Sequence, residues 1–142
     1  MVVEERGAST VFWAVFFAFI MIPLLALSIE LSRYARAAGE VQAAADAAAL
    51  AAVREVSIPH FRRTGQVLLH AGVYNMAQYY ALLNTYYLPS RGIYVRITDI
   101  QVDQATRTVL VRCRADVSRL FPAFVPQIVI EREGRAEVRL RY

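Results

Sequence analysis

The chain has 142 residues, a formal net charge of +4 and a mean hydropathy of +0.35, and all 16 of its basic residues are arginine. Its one cysteine, Cys113, excludes an internal disulfide. The arginines are dispersed between apolar residues rather than clustered, which is the pattern of a solvated sheet face, so nucleic acid is not expected as a partner.

Residues 1–7 form a short polar start with Glu4, Glu5 and Arg6. From Ala8 to Ile29 there follow 22 residues without a charge. About 20 apolar residues of helix cross a bilayer core about 30 Å thick. Residues 8–29 are therefore expected to be a transmembrane helix, with the lipid bilayer as a partner. The apolar run is too long for a secretory signal, and the helical pattern continues past Ala26-Leu27-Ser28, so cleavage there is not expected. Pro23 removes a backbone donor and crowds the preceding turn, which predicts a kink between Phe19 and Pro23. Ser28 is placed to bond back to the helix. Arg6 on one side of the span, and Arg33 and Arg36 on the other with Glu30 and Glu40, leave its orientation open. Glu30, at the outer end, is expected to face water.

Residues 30–56 continue the helix beyond the membrane as an amphipathic stalk. Leu31, Ala35, Ala38, Val41, Ala45, Ala48, Ala52 and Val56 recur at three- and four-residue steps and define a packing face. Arg36 and Glu40 form an i,i+4 pair, worth a few tenths of a kcal/mol. The stretch from Ala43 to Ala52 is small on every side, which gives high helix propensity and lets another helix approach closely. Two partners fit this face, the chain's own domain and a neighbouring subunit, and both can hold at different heights. The candidate interface comprises Phe12, Phe16 and Ile20 in the span, then Leu31, Ala38, Val41, Ala45, Ala48 and Ala52. Gly39 is a place where the helix is locally weakened.

Residues 57–142 are expected to form a small α+β head. Ser57-Ile58-Pro59 ends the long helix. A second helix is expected from about Gln66 to Tyr86, with Leu69, Val73, Met76, Tyr80 and Leu83 along its apolar side. Leu88-Pro89-Ser90-Arg91-Gly92 is turn-like. Four antiparallel strands are predicted. Ile93 to Val102 and Thr108 to Val117 flank residues 103–107 as one hairpin. Val125 to Glu131 and Arg135 to Arg141 flank Arg132-Glu133-Gly134 as a second. The link from Leu120 to Pro126 carries two prolines and stays out of the sheet. Cys113 falls on the apolar face of an alternating strand, with Val109, Val111, Ala115 and Val117, and reads as a small buried hydrophobe. Tyr74, Tyr79, Tyr80, Tyr86, Tyr87 and Tyr94 read as core and rim residues with wet hydroxyls, against a sugar-stacking surface.

No constellation for catalysis or for a cofactor emerges. His60 and His70 lie ten residues apart in different elements, without a cysteine pair or an acidic partner at ligand spacing. There is no glycine-rich phosphate loop and no nucleophile elbow. Asp99, Asp103 and Asp116 suit hairpin ends better than a calcium site. An enzyme is not expected, and neither a metal nor another cofactor.

Gly7 before an uncharged span, then Ile29-Glu30-Leu31-Ser32-Arg33, then the run from Val41 to Ala52 (Val-Gln-Ala-Ala-Ala-Asp-Ala-Ala-Ala-Leu-Ala-Ala) closely resemble the amino-terminal region of TadE/TadG-like proteins of tight-adherence (Flp) pilus systems. The resemblance covers about the first 55 residues. It implies a pilin-like fold and a structural or assembly role in a pilus. It also implies other pilin-like subunits or the assembly machinery as partners, a homo-oligomer, and a cytoplasmic-membrane location with the head extracytoplasmic or on a surface pilus. Some relatives are cut after a glycine, which would place processing between Gly7 and Ala8. Those relatives carry glutamate at the fifth mature position, where this chain has Phe12, so a glutamate–terminal amine pair between subunits cannot form. An alternative is a single-pass membrane-anchored binding protein with an extracytoplasmic α+β domain that does not polymerise.

Overall fold

A computed structural model describes residues 3–139, with side chains from residue 9. Helix α1 covers Val3–Arg54, a run of 52 residues that passes through Pro23 without interruption. Its beginning at Val3 places most of the expected polar start within the helix. Two short elements follow, α2 (Ile58–Thr64) and α3 (Val73–Thr85), then a 3₁₀ turn over Pro89–Arg91. The strands are β1 (Ile93–Asp103), β2 (Thr108–Val117) and β3 (Val129–Glu137), in one antiparallel sheet of order β1-β2-β3. The class is α+β. The chain divides into two compact units: α1 up to Arg33 together with Arg119–Gln127, and Tyr34–Ser118 together with the chain from Ile128.

The second unit holds the sheet. Strand β2 is central, and Val109, Val111, Cys113, Ala115 and Val117 are all fully buried, as the alternation predicts. The β1–β2 turn is held by Asp103, whose carboxylate accepts from the amides of Ala105 and Thr106 and from the Thr106 hydroxyl. The opposite face of the sheet is an ionic ladder. Arg112 pairs with Asp99 and Glu133, Arg96 and Arg114 with Asp116, and Arg135 with Glu133. These exposed pairs are individually weak, and they place Arg96, Arg112, Arg114 and Arg135 on a solvated sheet face.

The sheet has three strands among the described residues, not four. Arg132-Glu133-Gly134 is no turn: β3 runs straight through it, in unbroken register with β2 from Asp116↔Val129 to Thr108↔Glu137. Gly134 does not take the left-handed conformation that Gly65 and Gly92 adopt. Its lack of a side chain serves contact instead. A Cβ there would meet the Ala45 carbonyl oxygen at 2.0 Å and the Asp46 nitrogen at 2.6 Å. Residues 125–128 lie outside the strand, and residues 140–142 of the expected last strand lie outside the described residues.

The second helix also differs from expectation. Ile58-Pro59 starts α2, with proline in the first turn where its missing N–H costs nothing. Helix α3 begins only at Val73, because residues 66–70 are held extended. Gln104 brackets Val67 by bonding both its N–H and its carbonyl, and Leu69 bridges to Val56. The buried side of α3 is Ala77, Ala81 and Thr85, while Met76 and Leu83 are exposed. Small residues face the sheet so that the helix can come close. Gln78 and Tyr74 then bond the outward N–H and carbonyl of Ile97, covering that position on the open edge of β1.

Candidate membrane anchor and packing surfaces

In the first unit, residues 9–29 are exposed except for half-buried Pro23 and buried Ala26. Phe12, Phe16 and Ile20 are all open, and Phe12 stacks on Phe16 with ring centroids 6.4 Å apart. This uncharged surface, exposed on every side, is what a bilayer or neighbouring apolar helices would cover. The helix is long and apolar enough to cross a membrane. Within it the Ser28 hydroxyl donates to the Leu24 carbonyl at 2.8 Å, as its position predicts. Gly7 and Ala8, the expected processing site, lie in α1, but their surroundings fall outside the described side chains.

Glu30 does not face water. Its side chain is fully buried. One carboxylate oxygen accepts from the backbone N–H groups of Leu120 and, at 3.0 Å, Phe121; the other accepts from Arg33 at 2.9 Å. A buried carboxylate needs partners of this kind. The donors arrive from a segment 90 residues further along, which no local pattern foretells. The only local signal was an acid at the end of a span with arginine three residues on.

In the second unit, Val41, Ala45, Ala48 and Ala52 are fully buried within their own fold. The chain's own domain, one of the two expected partners, covers these four residues. Ala37, Ala44, Ala49 and Ala51 are buried with them, Ala38 is half-buried, and Leu31 and Ala35 are exposed. The buried stripe thus contains the expected Val41, Ala45, Ala48 and Ala52 and is wider than expected, without Leu31 and Ala35. The helix is tied to the fold by Gly134 against Ala45, by Gln42 Nε2 donating to the Glu133 carbonyl at 3.0 Å, by the Arg54 guanidinium over the Tyr80 ring, and by the Tyr87 hydroxyl donating to Glu40. That carboxylate raises the Tyr87 hydroxyl above the ordinary phenol range.

Burial pushes the Cys113 thiol up to about 11. An open cleft of about 340 Å³ is lined by Asp103, Thr106, Thr108, Leu110 and Arg135, but the Asp103 carboxylate is already engaged in the turn. Among the described residues no three His, Cys, Asp or Glu side chains gather as a metal set.

The uncharged, exposed stretch 9–29 of α1, joined in sequence to a small α+β domain, has the length and composition of a membrane anchor. Residues 7–55 match the family described as "Putative Flp pilus-assembly TadE/G-like", which bears out the resemblance read from Gly7 and the run from Val41 to Ala52. The matched stretch is the apolar segment and its helical continuation, about a third of the chain. No curated protein and no solved structure matches the chain.

Proposed function

We propose that this chain is a non-catalytic, pilin-like component of a tight-adherence pilus system, held in the cytoplasmic membrane by residues 8–29 with its α+β head extracytoplasmic. The observation that carries this is the uncharged, laterally open surface of residues 9–29 within the TadE/G-like stretch. With Phe12 at the fifth position after Gly7, association in the membrane rests on apolar packing through Phe12, Phe16 and Ile20, not on a buried charge pair.

A second reading has its own support. Val41, Ala45, Ala48 and Ala52 are packed within the chain's own fold, which leaves the span as the larger open apolar surface. That favours an anchored assembly factor or binding protein whose head never enters a filament. The intact mass of the native protein in sheared surface material and in washed membranes separates the two. Abundant sheared protein, lighter by residues 1–7, establishes a processed filament subunit. Full-length protein confined to membranes establishes the anchored factor and removes the polymer.

A further inference from the structure

The geometry points to a second membrane contact: residues 119–127 form an interfacial shelf that dips into the bilayer surface beside the end of the span. The inference rests on the reading of residues 8–29 as a membrane helix. The occupant of the shelf's outer face is lipid, at the boundary between headgroups and acyl chains.

Four observations within the first unit carry it. The shelf is pinned to α1 at Glu30, the residue directly after the uncharged run, through the amides of Leu120 and Phe121. Its height on the helix is therefore fixed at the end of the span. Ala26, one turn back on the same helix face, is only 3% exposed, and a shelf that extended inward from Glu30 would cover it. One helical turn of four residues is about 6 Å of rise, a depth typical of interfacial segments.

The shelf's own chemistry suits a place where water is scarce. Leu120 and Phe124 point outward at 55% and 51% exposure, while Val125 is buried. Pro122 and Pro126 carry no N–H. Of the five amides between them and Leu120, four donate inside the unit: Leu120 and Phe121 to Glu30, and Phe124 and Val125 to the Phe121 carbonyl. A non-helical segment survives near hydrocarbon only if its backbone is satisfied internally. The fully buried Glu30 carboxylate supplies acceptors where water would otherwise have to. Arg119, at the edge of the shelf, donates to the Val125 carbonyl at 3.3 Å and lies where its guanidinium can reach phosphate groups. The lipid surface is chosen over a protein partner because the exposed Leu120 and Phe124 belong to the same unit as the lipid-facing span and continue its surface.

The test uses the full chain with Cys113→Ala, reconstituted in phosphatidylethanolamine–phosphatidylglycerol vesicles. An environment-sensitive fluorophore is attached in turn to Phe124→Cys, to Phe19→Cys in the span and to Tyr94→Cys, an exposed position of β1. Lipids spin-labelled near the headgroup or near the tail end serve as quenchers. The inference expects a blue-shifted label at 124, quenched most by the shallow spin label, with position 19 quenched most by the deep one and position 94 unquenched. Quenching at 19 with none at 124 overturns the shelf and leaves the membrane helix standing. No quenching at 19 overturns both.

Discussion

Gly134 of β3 lies in direct contact with the backbone of Ala45 in α1, so closely that a single methyl group on it would overlap the Ala45 carbonyl oxygen at 2.0 Å. Both neighbours are main chain, so no side chain can rotate away. Gly134→Ala is expected to destabilise the head by about 1–3 kcal/mol, the usual cost of overpacking. For a domain of this size that lowers the melting temperature by roughly 4 °C or more. Thermal unfolding of the full chain in detergent, followed by circular dichroism, checks it. An unchanged melt would show that helix and strand do not pack as described.

Ala45 and Ala48 are fully buried beside this contact. Replacing either by leucine is expected to cost about 1–3 kcal/mol through overpacking, and the double variant more. The defect should appear in the isolated protein as lost protease resistance of the head. Phe16→Ala and Ile20→Ala, on the open surface of the span, should leave head resistance unchanged. If the leucine variants resist protease normally and fail only in pilus output, the alanine face belongs to subunit contacts after all.

Glu30 joins α1 to the shelf through the Leu120 and Phe121 amides. Glu30→Ala strands both donors. Each unsatisfied buried group costs about 1–3 kcal/mol, which predicts roughly five- to hundredfold faster hydrogen exchange at those two amides. Glu30→Gln keeps an acceptor and should show a smaller increase. Exchange measured by mass spectrometry on the peptide covering 119–127 reads this directly.

Cys113 is fully buried in the middle of β2, and its thiol is pushed up to about 11 by burial. The nucleophile is the thiolate, so the native protein should resist maleimide at neutral pH and react promptly once denatured. Rapid labelling of the native chain would contradict the packing of β2.

Asp103 accepts three hydrogen bonds at the β1–β2 turn, and the Thr106 hydroxyl, then the Thr106 and Ala105 amides, hold its carboxyl below the ordinary Asp value of 3.8. A depressed folded value means the turn contributes stability above that ordinary value and loses it as pH falls through the lower folded one. The melting-temperature difference between Asp103→Ala and the natural chain should therefore be constant near neutral pH and shrink only below about pH 4. A difference that shrank already around pH 6 would point to another group.

Several parts of this protein were written plainly in its residues. Twenty-two uncharged residues specify a helix long and apolar enough to cross a bilayer. The strict alternation from Val109 to Val117 specifies a strand with one buried face, and Asp103 marks its turn. These signals are local: each depends on neighbours within a few positions. The alanine run specified a helix, and its Val41, Ala45, Ala48 and Ala52 face was legible in the spacing. The added burial of Ala37, Ala44, Ala49 and Ala51 was not, because with small residues on every side the run marks no edge to that face.

What only the tertiary structure decided was partnership at a distance. Gly134 looked like a turn because glycine most often serves backbone freedom; here it serves close approach to a helix that precedes it by almost ninety positions. Met76 and Leu83 looked like core because they are large and apolar, yet α3 turns Ala77 and Ala81 inward since only small side chains let it lie near the sheet. Glu30 looked solvated because its donors lie 90 residues away. Hydrophobic period fixes the elements; which contact fills each surface depends on the shape of a neighbour brought there by folding.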